Sequence, residues 1–265
     1  MNVEANGHQF AYIRRGQGEP LLLIQGMSGH HDMWGDWFLE LLEPHFDVVA
    51  YSHRGISTSS RADAPFTIAD LADDAAGIIT ASGWQRAHIL GISLGGMVAQ
   101  ELALRHADSV QTLTIGCSWA GGPSVALAET ARRMVDAMAT RDVEHALKTG
   151  YEANLSPRFA ADPTNFSRYA KLSLSQRVPV PVVLMQWDAA QNHSAYARLA
   201  NISAPTLVIH GTADACMPHR NGEHIASLIP GSRLELLPGV GHLFWWEQPQ
   251  RTADLLLSHT LQNSS

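Results

Sequence analysis

The sequence predicts an α/β protein, with a mostly parallel central sheet flanked by helices and a helical insertion in the second half of the chain. Two observations carry this prediction. Short, continuously apolar, β-rich runs alternate with helix-length segments, the rhythm of strands buried on both faces and joined by crossover helices. That rhythm breaks across residues 119–200, where helical spacing continues without a clear parallel strand. The length of 265 residues suits one α/β unit carrying such an insertion.

In order along the chain, HQFAYIRRGQGEP (8–20) reads as an opening strand and turn. The later strands are LLLIQG (21–26), FDVVAY (46–51), AHILGI (87–92), VQTLTIG (110–116), PTLVIHG (205–211) and RLELLPG (233–239). Helices are expected over 68–82, 93–106, 219–229 and 249–261. Residues 1–118 and 201–265 then form the core, and 119–200 form a helical cap, or lid, over the strand ends. Met134, Met138, Phe166, Tyr169, Leu172, Met185 and Trp187 are its expected inward-facing residues. The QNSS tail is the one loose piece.

Composition narrows the partners. Hydrophobic residues make up 45% of the chain and charged residues 16%, an ordinary globular balance. A formal charge of −7 leaves no basic footprint for nucleic acid. No apolar run approaches a membrane span, and the first residues do not read as a signal peptide, so a soluble, cytoplasmic protein is expected. Cys117 and Cys216 are the only cysteines and form no metal-binding spacing.

The residue type and spacing that point to chemistry begin at Gly91-Ile92-Ser93-Leu94-Gly95. Here a serine follows a strand and opens a helix, with glycines two positions away on either side that leave room for a strained turn. A serine hydroxyl is a weak nucleophile until a base takes its proton, so a histidine and an orienting carboxylate are needed elsewhere. His242, in the glycine-flanked loop LLPGVGHLFWWEQP, leads into an apolar stretch that shields imidazole from water. Asp214, in LVIHGTADACMP, lies just past a strand end. The chain order Ser93, Asp214, His242 is that of the α/β-hydrolase triad. Tetrahedral charge also needs amide donors. The Leu94 N–H at the helix start and the Met27 N–H in QGMSGHHDMW are the expected pair.

These motifs resemble those of the α/β-hydrolase superfamily across nearly the whole chain. The likeness rests on LLLIQGMSG, VVAYSHRGISTSS, HILGISLGGMVAQELALRH, APTLVIHGTADACMP and LLPGVGHLFWWEQP, and within the superfamily the layout is similar to small bacterial serine esterases and cofactor-free haloperoxidase-like hydrolases. The resemblance implies an α/β-hydrolase fold and hydrolysis without a cofactor. Two positions depart from the family pattern. Gln25 stands where a histidine is frequent, and Ser52 where an aspartate is frequent, which puts the hydrogen bonding of the oxyanion loop in question. Serine at 93 excludes the nucleophilic aspartate of related dehalogenases and epoxide hydrolases.

The function these readings imply is cleavage of a small-molecule ester or lactone through an acyl-enzyme. C–C hydrolysis of a diketone, perhydrolase chemistry and a non-catalytic small-molecule receptor remain open alternatives. Trp34, Trp119 and Trp245 are the expected substrate contacts, because they lie in or beside the site loops. No metal site is expected: His30, His31, Asp32 and His53 lack the facing spacing of helical metal motifs. The glycines around Ser93 match neither phosphate-loop pattern, so no nucleotide cofactor is expected either.

Overall fold

The computed structural model describes residues 1–122, 128–140 and 142–263. Residues 123–127 and Arg141 of the expected cap, and the last two residues of the QNSS tail, lie outside the described residues. Among the described residues the strands are β1 (Asn2–Ala5), β2 (His8–Arg15), β3 (Glu19–Ile24), β4 (Phe46–Tyr51), β5 (Ala87–Ile92), β6 (Val110–Gly116), β7 (Thr206–Gly211) and β8 (Arg233–Leu237). They form one sheet in the order β1-β2-β4-β3-β5-β6-β7-β8. From β4 to β8 every pairing is parallel, while β1 with β2 and β2 with β4 are antiparallel. The fold class is the one the sequence predicts.

The helices are α1 (Asp36–Leu42), α2 (Ile68–Ala81), α3 (Leu94–Arg105), α4 (Glu129–Ala139), α5 (Val143–Asn154), α6 (Pro157–Ala160), α7 (Pro163–Ser173), α8 (Val180–Gln191), α9 (Arg220–Leu228), α10 (Phe244–Glu247) and α11 (Pro249–Leu261). Alternating side chains sort each strand onto two cores. Leu22 and Ile24 of β3 join Leu71 and Ile78 of α2 and Met97 and Leu102 of α3 on one face. Leu21 and Leu23 join Phe38 and Leu42 of α1 and Leu255 and Leu256 of α11 on the other. Covered faces explain the unbroken apolar runs: every residue of β5 and of β7 is buried.

Strand β1 and helix α1 are additions to the sequence reading. The hairpin between β1 and β2 turns at Asn6-Gly7, both with positive φ (46° and 74°), the conformation that a tight two-residue hairpin demands. Helix α2 starts as expected, fixed by a capping box in which the Thr67 side chain accepts from Asp70 N–H and the Asp70 carboxylate accepts from Thr67 N–H. Between β6 and β7 the described elements are helices, α4 to α8 followed by a 3-10 turn at Tyr196–Asn201, joined by loops. No helix among the described residues is long and apolar enough to cross a membrane.

Three histidines are held neutral inside this framework. Burial pushes His30, His88 and His193 down to about 4, from an ordinary value of 6.5. The unfolded chain therefore binds more protons than the native one as pH falls from 6.5 toward 4. Stability should drop over that window by up to about 1.4 kcal/mol per pH unit for each histidine. Urea midpoints measured from pH 7 to pH 4.5 should decline steadily; a flat series would show that these side chains are accessible to protons in the native state.

Candidate active site

The sheet order reverses between β3 and β5: β3 leads to β4 on one side, and the chain then crosses back to place β5 on the other. Crevices form beyond the carboxyl ends of strands at such a point. The loop after β3 carries Gln25, Gly26 and Met27, and the turn after β5 carries Ser93, so both loops open onto the same crevice.

Ser93 adopts φ 55° and ψ −121°, a conformation that L-residues rarely take. Its neighbours compel it. A side chain at Gly91 would collide with the Gly95 carbonyl, and one at Gly95 would collide with the carbonyls of Ile24 and Gln25. Ser93 N–H donates to the Gly116 carbonyl (2.9 Å), and the Ser93 carbonyl accepts from Ser118 Oγ (2.8 Å). The hydroxyl is left free of that network, at the mouth of α3. Leu94 opens that helix, so its N–H has no carbonyl one turn earlier to bind.

Asp214 and His242 are brought together from the ends of β7 and β8. His242 Nδ1 donates to Asp214 Oδ2 at 2.7 Å, and both side chains are buried. Asp214 Oδ1 accepts from the amides of Cys216 (2.9 Å) and Met217 (2.8 Å), while His210 Nε2 lies 3.2 Å from Oδ2. Burial alone would raise this carboxyl, but His242, His210 and the donated bonds override it and hold Asp214 at about 2. Burial likewise opposes charge on His242; the facing carboxylate outweighs it and moves the imidazole well above its ordinary value. Because Nδ1 is committed to Asp214, Nε2 is the nitrogen left for chemistry. The histidine loop is secured by Glu247, whose carboxylate accepts from Gly241 N–H (3.0 Å), Ser156 N–H (2.7 Å) and Ser156 Oγ (2.6 Å).

Cys117 completes a close group with this pair, the ligand atoms of Cys117, Asp214 and His242 lying within 4.8 Å of one another. The Asp214 oxygens already accept from two amides and from the His242 imidazole, which leaves a cation little to bind. The Cys117 sulfur sits 3.9 Å from His242 Nε2, and burial pushes its thiol up, so it is a neutral neighbour. The loop histidines weighed as metal ligands each serve a local bond instead. His30 Nε2 donates to the Leu172 carbonyl (3.1 Å) and His53 Nε2 to the Gln25 carbonyl (3.0 Å).

The two departures from the family pattern have visible local roles. Ser52 Oγ accepts from His31 N–H (3.0 Å) and lies 2.8 Å from His31 Nδ1, tying the β4 end to the loop after β3. Gln25 Oε1 accepts from the adjacent Gly26 N–H (3.2 Å). Met27 lies in the turn that follows, and Gly26 packs against Ser93 closely enough that a side chain there would sit 3.1 Å from Ser93 Cβ.

Ser93 and His242 face one cavity of about 470 Å³. Helices α4, α5, α7 and α8 supply one wall and the loops after β3, β5, β7 and β8 the other. Met27, Met33, Met97, Met134, Met138 and Met217 all line it, and no lysine or arginine does among the described residues. Of the residues expected to face inward from the cap, Met134, Met138, Tyr169 and Trp187 reach the cavity. Phe166 and Leu172 pack against the α1/α11 core and Met185 against the α2/α3 core.

The tryptophan expectations need correction. Trp245 lines the cavity, but Trp34 does not: it is fully buried, stacked on Phe38 at 6.0 Å and against Trp245 at 4.9 Å. Trp119 also stays off the cavity wall and packs against the α2/α3 core. Nearness in sequence to a site loop does not decide which way an aromatic ring turns, and burial of its large apolar area favours the core. Sequence reasoning missed Glu247 as the clamp of the histidine loop. The FWWEQP motif contained it, but an acid beside aromatics carries no signal of its partners.

The family model described as the alpha/beta hydrolase family matches residues 21–255. Among similar curated proteins, the putative carbamate hydrolase RutD of Azorhizobium caulinodans is 27% identical over 257 residues, covering 93% of this chain and 92% of its own. Rhodomycin D methylesterase DauP of Streptomyces sp. is 30% identical over 270 residues, covering 91% and 90%. The 2-hydroxy-6-oxo-6-(2'-aminophenyl)hexa-2,4-dienoic acid hydrolase of Metapseudomonas resinovorans is 27% identical, covering 97% and 89%. A hydrolase of known structure from Pseudomonas aeruginosa PA01 superposes with a TM-score of 0.84 at 30% identity, covering 97% of this chain and 96% of that one.

Proposed function

The chain belongs to the alpha/beta hydrolase family, and from that premise we propose that it is a serine hydrolase cleaving a neutral small-molecule carboxylic ester or lactone. One observation carries the reading: Ser93, on its strained turn, and the His242–Asp214 pair open onto a single apolar cavity without a lysine or arginine among its described lining residues.

In this mechanism His242 Nε2 takes the hydroxyl proton as Ser93 Oγ attacks the ester carbonyl. Asp214 holds the Nδ1 proton and stabilises the imidazolium. The Leu94 and Met27 amides receive the negative charge that develops on the carbonyl oxygen. Collapse of the tetrahedral intermediate breaks the C–O bond, and the imidazolium returns its proton to the departing alcohol. A water molecule then attacks the acyl-enzyme by the same proton transfers and releases the acid. Residues 119–200 act as the cap that excludes bulk water and shapes the acyl or alcohol pocket. Unbranched, polarisable methionine side chains make that pocket adaptable to apolar groups of different shape.

The lack of a lysine or arginine among the described lining residues favours a neutral ester over a dienoic acid, the substrate in the name of the Metapseudomonas relative. A carboxylate moved from water into an apolar pocket without a partner costs several kcal/mol. A matched pair tests this: p-nitrophenyl butanoate and p-nitrophenyl hemisuccinate, which share chain length and differ by one negative charge. At pH 7.5 the neutral ester should be preferred by roughly 100-fold in kcat/KM, the equivalent of about 2.7 kcal/mol. A p-nitrophenyl series from acetyl to dodecanoyl, a lactone, a carbamate ester and the dienoic acid complete the panel. Equal rates on the matched pair, or turnover of the dienoic acid alone, would refute the assignment.

A further inference from the structure

Gly26, Met27, Ser28 and Gly29 form a β-turn closed by a hydrogen bond from Gly29 N–H to the Gly26 carbonyl (3.2 Å). Ser28 occupies its third position with φ 61°, whereas Met27 is not in the left-handed region. That combination is the φ signature of a type II turn, whose third position ordinarily takes glycine or asparagine. A serine held there is strained and needs the surroundings to impose it.

What imposes it comes from 158 residues away. Ser28 N–H donates to Gln186 Oε1 at 2.8 Å. Gln186 lies on α8 and is fully buried. Type I and type II turns differ by a flip of their central peptide, here the Met27–Ser28 plane. A flip would turn the Met27 carbonyl toward the place now taken by Ser28 N–H, so that two carbonyl oxygens would oppose each other. Gln186 therefore selects the type II state. The Met27 N–H belongs to the preceding Gly26–Met27 peptide, which the flip itself leaves in place; the choice matters because the turn anchors that peptide, and Gly26 packs against Ser93 with little slack.

We infer that Gln186 is a positioning residue for the oxyanion loop, and that through it the cap sets the geometry in which the Met27 amide receives charge. The inference rests on the serine-hydrolase reading above. Its neighbour Trp187 lines the cavity, so the helix that a bound substrate touches is the helix that holds the turn. Two further bonds join the same loop to the cap: His30 Nε2 to the Leu172 carbonyl (3.1 Å), and Gln176 Nε2 to Asp32 Oδ2 (2.6 Å). Gln186 is distinct from these because it alone grips the strained residue.

The test compares Gln186→Met, which keeps length and volume but lacks the acceptor, with Gln186→Glu, which retains an acceptor oxygen in either protonation state. On p-nitrophenyl butanoate, Gln186→Met should lower kcat roughly 10- to 100-fold, short of the loss of a whole oxyanion donor. KM should change less than about threefold, since the turn acts on the transition state rather than on substrate binding. The inhibition constant of butylboronic acid, whose tetrahedral adduct places an oxygen in the oxyanion position, should rise in parallel with the fall in kcat. Gln186→Glu should stay within about threefold of the unmodified enzyme, as expected when the acceptor is what matters. Unchanged kcat in Gln186→Met, an equal loss in both variants, or a loss confined to KM would overturn the inference. Should Gln186→Met fail to fold, amide hydrogen exchange of Ser28 in the unmodified protein decides. Exchange at least about 100-fold slower than in free peptide supports the bond; exchange at the free-peptide rate removes it. Ser93→Ala run beside these separates the two readings: hydrolysis that survives it defeats the serine mechanism, whereas an inactive Ser93→Ala beside a fully active Gln186→Met defeats only the role of Gln186.

Discussion

Ser93→Ala is expected to lower kcat on p-nitrophenyl esters by roughly 10⁵- to 10⁶-fold, the scale of loss when a serine nucleophile is removed from an intact triad. The fold should be untouched. Residue 93 already tolerates a Cβ at φ 55°, and its contacts to Gly116 and Ser118 run through the backbone, which alanine keeps. KM should change little, because the cavity wall is otherwise intact. The small remaining rate would come from oxyanion donors that still polarise the carbonyl for attack by water. Burst kinetics should vanish with the hydroxyl, since no acyl-enzyme can accumulate. A variant with native thermal unfolding and more than a few per cent of the original kcat would place the nucleophile elsewhere.

The second large effect concerns Asp214→Asn, for which kcat should fall on the order of 10³- to 10⁴-fold. An asparagine oxygen can go on accepting from the Cys216 and Met217 amides, which leaves its NH₂ group facing His242 Nδ1. That nitrogen must then accept, so the ring proton moves to Nε2 and the imidazole can no longer take a proton from Ser93. A pH profile adds a signature that simple loss of packing lacks. His242 is raised well above 6.5 by the carboxylate, so kcat/KM of the unmodified enzyme should climb with pH on a limb lying above 6.5. Removing the negative charge withdraws the support for the imidazolium, and the limb should move to lower pH in the residual activity. An unmoved limb would identify a different titrating base.

Much of the framework was legible locally. Strand runs such as AHILGI and PTLVIHG announce themselves because residues covered on both faces must all be apolar, and both are buried throughout. The Ser93 turn is equally local: glycines at 91 and 95 are where the helix start meets its own strand and β3. Asp214 and His242 were found by their positions after strand ends, and the structure brings them to 2.7 Å. Strand β1 was within reach too, since Asn6-Gly7 is a hairpin signal that four flanking residues were too few to amplify.

Other features had no local signature. Trp34 stands two residues after Asp32 in a site loop, yet its ring turns into the core against Trp245, a partner 211 positions later. The grip of Gln186 on Ser28 depends on where α8 settles over the sheet.

By itself, then, the sequence determined most of the segments that become strands and helices, the α/β class they form, and the turn that presents Ser93. Those properties follow from hydrophobic period and backbone sterics, which act over a few residues. Only the tertiary structure decided the cavity's chemistry: its methionine lining, the lack of a lysine or arginine among the described wall residues, and the α8 glutamine that accepts from the Ser28 amide. Such features are contacts between residues far apart in the chain, and their geometry exists only once packing of the whole molecule has fixed which side chains meet.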